Sequence, residues 1–159
     1  MNMPKLEPIP IETKGKSFLT RIWALLTVVR RWKLIEDWYF ILPNGVRIVI
    51  PKGFTTDGSS IPKQLWFLLS PTGLLLVPGL VHDFAYSYDY LWALDERGNL
   101  YKYRERAGQK YWDDLFRDVG YAVNGMIISD TLSYYALRAF GFIAWGNARF
   151  KPVNEIYPE

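Results

Sequence analysis

The sequence predicts an α+β fold in which a small N-terminal antiparallel β-meander is followed by a three-helix core. The first half of the chain holds short runs rich in β-branched and aromatic residues, joined by the turn Pro43-Asn44-Gly45. The second half holds longer stretches whose apolar residues recur at helical spacing. At 159 residues, half of them hydrophobic, the chain suits one domain with its own core.

The domain limits follow from where periodicity starts and stops. Residues 1–16 contain three prolines and no periodic pattern, so we expect a flexible lead. Residues 17–146 form the predicted single α+β domain, and residues 147–159 a C-terminal tail without periodicity. Within the domain, residues 17–29 fit either a helical face or a strand.

The meander is expected between residues 31 and 50. Residues 38–42 and 46–50 flank the Pro-Asn-Gly turn and should form a hairpin. Residues 31–36 are expected to be the neighbouring strand.

The helices follow the sheet region. Ser60 is a natural N-cap for a short helix over residues 61–69, in which Pro62 is tolerated in the first turn. Residues 95–99 suggest the tip of a hairpin or loop. Three longer helices are expected over residues 74–90 (or from Pro78), 104–123, and 129–142 (or from Asp130).

Composition restricts the function. There is no cysteine, which excludes disulfides and thiolate metal sites. A net charge of +3 without a basic block interleaved with aromatics argues against nucleic-acid binding. No apolar stretch suits a signal peptide or a membrane span. The chain does hold seven Trp and eleven Tyr, a surplus that a protein partner or a membrane surface could use.

The strongest chemical signal is in residues 82–86, His-Asp-Phe-Ala-Tyr, followed by Trp-Asp-Asp-Leu-Phe at residues 112–116. His82 is the single histidine, and imidazole is the usual proton acceptor near neutral pH. On a helix, His82 and Tyr86 share one face while Asp83 is rotated by about 100°. A carboxylate on a second helix could fix the tautomer of the imidazole. The alternative interpretation, which composition alone favours, is a lone histidine that caps or packs in the core, with the acids on solvated faces.

Two resemblances give this pattern a context. Residues 49–62, together with the later His-Asp-x-x-Tyr and Asp-x-x-Phe, resemble an uncharacterised family common in tailed bacteriophages and prophages, whose members read roughly VPxGFxTDxxSIP, HDxxY and ADxxF. That similarity covers residues 29–145. Residues 79–124 alone also resemble the two-helix core of calcium-dependent secreted phospholipases, most closely their disulfide-free relatives in parvovirus capsid proteins.

The phospholipase resemblance implies a role for each residue. His82 would be the general base, Asp113 the carboxylate that orients it, Tyr86 a hydrogen-bond donor to Asp113, and Asp83 a calcium ligand. Asp114 competes with Asp113, although the Asp-x-x-Phe spacing favours Asp113.

Calcium needs six to eight oxygen ligands, so Asp83 requires a loop that supplies others. The sequence lacks the glycine-rich calcium loop of those phospholipases. Asp57 and Gly58 are the candidate loop, Asp57 serving either as a ligand or only as a turn cap. Residues 71–73, Pro-Thr-Gly, are the other candidate loop.

These observations predict a phage-encoded, calcium-dependent, phospholipase-like hydrolase acting on membrane phospholipid during entry or release. The alternative is a non-catalytic phage structural or assembly protein that uses the same helices for protein contacts. A metal-dependent hydrolase of another substrate, such as cell-wall material, is a third hypothesis. The expected partners are a phospholipid surface or other virion proteins, and the expected location is the virion or the host cytoplasm.

Overall fold

A computed structural model of the protein describes residues 2–10, 15, 17–19, 31–56, 75–125, 127–150 and 154–159. The elements confirm the predicted α+β class. The strands are Leu6–Pro8 (β1), Trp32–Leu34 (β2), Trp38–Ile41 (β3), Arg47–Ile50 (β4), Thr55–Thr56 (β5), Leu91–Leu94 (β6) and Leu100–Tyr103 (β7). The helices of these residues are Leu76–Tyr88 (α1), Gln109–Asn124 (α2) and Ile127–Phe150 (α3). The predicted helix over 61–69, residues 71–73, and residues 20–29 of the ambiguous 17–29 segment lie outside the described residues.

The predicted hairpin is confirmed. Strands β3 and β4 are antiparallel, with Tyr39 opposite Val49. The turn is closed by the Gly45 amide, which donates to the Leu42 carbonyl at 2.8 Å. Gly45 has φ +84°, a left-handed conformation that glycine adopts without steric cost. The Pro-Asn-Gly signal therefore identified the turn and the two strands that it joins.

A strand is present within residues 31–36, but its predicted pairing with the hairpin is wrong. Residues 32–34 form β2, but β2 pairs with β1 and β5 in a separate three-stranded sheet. The hairpin instead belongs to a four-stranded antiparallel sheet of order β3-β4-β6-β7, completed by residues that follow α1. Leu91, Trp92 and Ala93 of β6 are all buried, which suits an inner strand of the larger sheet.

Both predicted terminal segments contain ordered contacts. Strand β1 lies within residues 1–16, which were expected to be flexible, and pairs Leu6 with Leu34 of β2. At the other end, α3 continues to Phe150, inside the predicted tail. Residues 154–159 then cross the sheet, where the Trp92 indole donates to the Ile156 carbonyl at 2.9 Å.

Helices α1 and α2 are antiparallel, as shown by the order of their contacts. Asp89, just after α1, accepts a 2.7 Å hydrogen bond from Trp112 near the start of α2, while His82 earlier in α1 meets Phe116 later in α2. Helix α2 starts five residues later than predicted because Arg104, Arg106 and Gly108 all have positive φ, which interrupts a helix.

Helix α3 crosses α2 closely at Gly120. A Cβ at this position would lie 2.8 Å from the Asp130 carboxyl carbon, so only glycine permits the approach. The three helices thereby form a layer whose inner side chains, such as Phe84 and Trp112, join the sheet residues in one core. No helix among the described residues is long and apolar enough to cross a membrane.

Candidate functional site

Helix α1 presents His82 and Tyr86 on one face because they are four residues apart. Their rings lie side by side with centroids 3.9 Å apart, and the Phe116 ring meets His82 edge-on at 5.5 Å. Both His82 and Tyr86 are buried. The imidazole is therefore held between aromatic rings, with its orientation fixed by packing as well as by hydrogen bonds.

Asp113 of α2 brings these side chains together. Its Oδ1 lies 3.0 Å from His82 Nε2 and accepts a 2.5 Å hydrogen bond from the Tyr86 hydroxyl. The carboxylate is completely buried. The structure thus places the three predicted catalytic residues in direct contact. Asp114 points elsewhere and pairs with Lys110 at 2.6 Å, as the spacing of the motif suggested.

Sequence reasoning missed two further residues that bind Asp113. Arg138 of α3 donates to Oδ2 at 3.0 Å, and Gln109, one turn before Asp113, donates to the same oxygen at 3.5 Å. The spacing of Gln109 from Asp113 was a usable signal. No sequence signal pointed to Arg138, because its position relative to Asp113 depends on how α3 packs on α2. Gly141 lets α3 approach, since a Cβ there would lie 2.8 Å from the Tyr86 hydroxyl.

The hydrogen bonds define the tautomer of His82. An ionised Asp113 can only accept, so His82 Nε2 carries the proton and donates it to Oδ1. In a neutral imidazole the other nitrogen, Nδ1, then holds a lone pair. The arrangement therefore supplies a potential base at Nδ1, oriented through Nε2.

Burial and hydrogen bonding set the charge states. Burial lowers the pKa of His82 below its ordinary value, and the hydrogen bond and charge of Asp113 offset only part of this effect. Burial alone would raise the pKa of Asp113, but the hydrogen bonds from His82 and Tyr86 outweigh it and keep that pKa below its usual range. Burial, followed by the contact with Asp113, raises the pKa of Tyr86 far above its ordinary value. At neutral pH we infer a neutral imidazole, an anionic carboxylate and a protonated phenol.

Asp83 lies on a different side of α1, as the helical rotation predicted. It accepts a short hydrogen bond from the Thr56 hydroxyl of β5. It also borders a cavity of about 210 Å³, whose wall includes Arg31 and Tyr86. Thr56 is buried and directly precedes the predicted Asp57-Gly58 loop. Asp83 and the His82–Asp113 pair are thus linked through Tyr86, which borders the cavity and binds Asp113.

The remaining predicted metal ligands, Asp57 and Gly58, lie outside the described residues. Within the part of the chain that the structure does describe, no group of three or more His, Cys, Asp or Glu side chains is placed to hold a metal ion. Asp83 and Thr56 alone fall short of the six to eight oxygens that calcium requires. A calcium site at Asp83 therefore depends on oxygen ligands from other residues.

Comparison with known proteins identifies the family of the chain. Residues 32–137 match the family described as "Protein of unknown function (DUF1353)", and the chain belongs to this family because the match covers more than half of its length. His82, Tyr86 and Asp113 lie inside the matched region, whereas Arg138 is the first residue beyond it.

One curated relative is an "Uncharacterized protein y4jT" from Sinorhizobium fredii (strain NBRC 101917 / NGR234). It is 29% identical over 83 residues, which cover 51% of this chain and 25% of the relative. The alignment thus spans about a quarter of the relative's length. No solved structure matches the chain.

The depressed pKa of His82 predicts that acid destabilises the fold. The unfolded chain binds a proton near the ordinary histidine pKa of about 6.5, while the folded chain binds it only at lower pH. Between these two values the unfolded state holds more protons, so the free energy of unfolding should fall with decreasing pH, by at most about 1.4 kcal/mol per pH unit. Asp113, whose pKa is also lowered, adds a loss of the same sign at more acidic pH.

Urea unfolding followed from pH 8 to pH 5 checks this prediction, with His82→Gln as the control that cannot titrate. We expect the wild-type free energy to decline below pH 6.5 more steeply than that of the variant. Parallel pH profiles for the two proteins would contradict a buried neutral His82.

Proposed function

We propose that the protein is a hydrolase in which His82 is the general base and membrane phospholipid is the substrate. The observation that carries the proposal is the oriented His82–Asp113 pair, whose tautomer leaves Nδ1 as the proton acceptor. The substrate class rests on the resemblance of residues 79–124 to phospholipases. A phage origin, and action during entry or release, belong to the same proposal.

The reaction follows from the residues of the chain. His82 Nδ1 removes a proton from a water molecule, whose oxygen attacks the carbonyl carbon of the ester. Asp113 stabilises the imidazolium that forms, and that imidazolium returns the proton to the leaving alkoxide, which gives a fatty acid and a lysophospholipid. A positioned base of this kind accelerates a reaction by about 10²–10⁴.

The other hydrogen-bond donors to Asp113 keep its carboxylate anionic and oriented toward His82. Tyr86 donates to Oδ1 of the carboxylate and Arg138 donates to Oδ2, so the two contacts together restrict its rotation. Arg138 also favours the anionic form, since an adjacent cation stabilises a carboxylate. The charge of Arg138 also weakens the stabilisation of the imidazolium, because a carboxylate paired with a guanidinium stabilises an imidazolium less than an unpaired carboxylate does. The site therefore favours a fixed geometry over a strongly basic histidine.

The cavity beside Asp83 suits the polar part of a phospholipid. Arg31 on its wall is a cation of the kind that binds phosphate, and Phe54 and Ala144 add apolar surface. Tyr86 connects this cavity to Asp113. Calcium at Asp83, when bound, would supply an electrophile for the ester and phosphate oxygens. The Asp57-Gly58 loop remains the predicted source of its missing ligands.

A second candidate function is favoured by the burial of the pair. The His82 side chain is only 1% exposed and that of Asp113 is not exposed at all. A sealed polar network of this kind also suits a purely structural connection between three helices, in a virion or assembly protein that contacts other proteins. This candidate predicts no hydrolysis by the wild type and a loss of stability when either partner is replaced.

The first test is lipid hydrolysis by variants of the pair. We expect His82→Gln to lower fatty-acid release from phospholipid vesicles by roughly 10²–10⁴, since the base is removed. Asp113→Asn should lower it less, because Tyr86 packing still orients the ring. Asp118→Asn is the matched control on the same helix, since Asp118 is exposed, and it should retain wild-type turnover.

Circular dichroism must show that each variant is folded, and vesicle co-sedimentation must show that each binds lipid. A folded, vesicle-bound wild type that releases no fatty acid in the presence of calcium would exclude the phospholipase proposal and leave the structural candidate.

The second test is calcium binding at Asp83. If Asp83 is a ligand, calcium at about 100 times its dissociation constant should stabilise the fold by roughly 2.7 kcal/mol, because it binds only the folded state. Differential scanning calorimetry with calcium or chelator measures the shift. Asp83→Asn should abolish most of it, while Asp118→Asn should preserve it. Identical melting curves for the wild type in both buffers would remove calcium from the proposal.

A further inference from the structure

Helix α3 is apolar on two opposite sides. Its inner side packs on α1 and α2 through buried residues such as Ala136 and Leu137. Its opposite side carries large hydrophobic residues that are between 44% and 86% exposed. We call these the outer face of α3: Ile127, Ile128, Leu132, Tyr135, Phe142 and Ile143.

The outer face is continuous. At about 100° per residue, all six positions lie within about 80° of Tyr135 around the helix axis. A large exposed apolar face on a folded protein marks a site of contact with another protein or with a membrane. Among the described residues no helix can span a membrane, so the outer face of α3 calls for a protein or interfacial partner.

The outer face is complementary to itself. Ile127 and Ile143 lie eight residues before and after Tyr135, on opposite flanks, and Ile128 and Phe142 lie seven residues before and after it near the centre. A two-fold axis beside Tyr135, perpendicular to two antiparallel helices, therefore places Ile128 next to Phe142 of the second copy at the centre of the contact. Ile127 and Ile143 then lie at the edges of the contact, on opposite sides of it. Isologous interfaces require such a surface, because the same patch must meet itself.

The pairing is also sterically and electrostatically suitable. Leu132 would meet the region of Arg138 and Ala139 in the second copy, where the small Ala139 leaves space for a leucine. The Arg138 guanidinium does not point at the axis, since it binds Asp113 in the core. No acidic or basic side chain then stands at the centre of the contact. The spacing of 128, 132, 135, 139 and 142 alternates by four and three, as in a coiled-coil seam.

The area suffices for a stable dimer. Two copies would bring together four aromatic side chains, each able to bury about 150–250 Å² and each more than half exposed in the single chain. With the eight aliphatic side chains added, the contact reaches about 1,000 Å² or more, the lower bound of a specific interface.

We propose that the protein forms a two-fold homodimer through antiparallel pairing of the outer face of α3, with Tyr135 at the axis. A lipid surface fits the face less well. Interfacial helices flank their apolar side with several Lys or Arg, whereas the cations on α3 are Arg138, which is bound to Asp113, and Arg149, which donates to the Tyr86 carbonyl.

Sedimentation equilibrium of the full chain tests the dimer. We expect a mass twice the 18.6 kDa of one chain. Tyr135→Glu places two carboxylates together at the axis and should raise the dimer dissociation constant roughly 100-fold or more. The matched control is Tyr39→Glu, because Tyr39 on β3 is 51% exposed and lies outside α3. It should remain dimeric, and both variants should keep the wild-type circular dichroism spectrum.

Cysteine cross-linking tests the direction of pairing. Because the chain has no native cysteine, an introduced cysteine can form a disulfide only with another introduced cysteine. Oxidised Tyr135→Cys should form a disulfide-linked dimer. Ile128→Cys alone should not, because its two copies lie about 20 Å apart along the antiparallel helices, but mixed with Phe142→Cys it should form a mixed dimer. Cross-linking of Ile128→Cys alone would overturn the antiparallel arrangement.

A wild type that is monomeric throughout would overturn the dimer itself. A monomer that floats with phosphatidylglycerol vesicles and loses this ability in Tyr135→Glu would assign the outer face to lipid instead. Failure of the hydrolysis tests above would leave the dimer unaffected, since none of its outer-face residues binds Asp113.

Discussion

The buried charge of Asp113 is the constraint on which the rest of this structure depends. A carboxylate taken out of water costs several kcal/mol unless opposite charge and hydrogen bonds compensate it. Here the compensation comes from α1, α2 and α3 together, through His82, Tyr86, Gln109 and Arg138. A different packing of the three helices that kept Asp113 buried would separate its carboxylate from one or more of these partners. Gly141 and Gly120 remove the Cβ atoms that would keep α3 away from it.

The same constraint links fold and chemistry. Because Asp113 must accept hydrogen bonds, it fixes the proton of His82 on Nε2 and makes Nδ1 basic. Because burial disfavours the imidazolium, the histidine stays neutral and available as a base at neutral pH. A hydrolase and a structural connector would share this network. They differ in whether water and an ester reach Nδ1. The proposed role of Asp83 is to bind the calcium ion that would hold the ester and phosphate oxygens of the substrate.

The sequence predicted what is local and missed what depends on tertiary packing. The hairpin turn at Gly45 and the shared face of His82 and Tyr86 follow from one segment at a time, and both are present. Strand residues 32–34 were assigned to the wrong sheet, because strand pairing depends on contacts between segments that are distant in the chain, here β1 and β5. Arg138 was missed for the same reason, since no spacing along the chain relates it to Asp113. The roles of these residues in catalysis stay predictions.

Nitrogen-15 NMR of the imidazole tests the central claim most directly, because the chain has a single histidine and its two ring nitrogens give an unambiguous pair of signals. The account predicts that at pH 7 Nε2 is protonated and Nδ1 is not, with the signals changing only below pH 6.5. In Asp113→Asn the preference for this tautomer should weaken. A wild-type His82 protonated on Nδ1, or one that exchanges between tautomers and titrates near pH 6.5, would contradict the account.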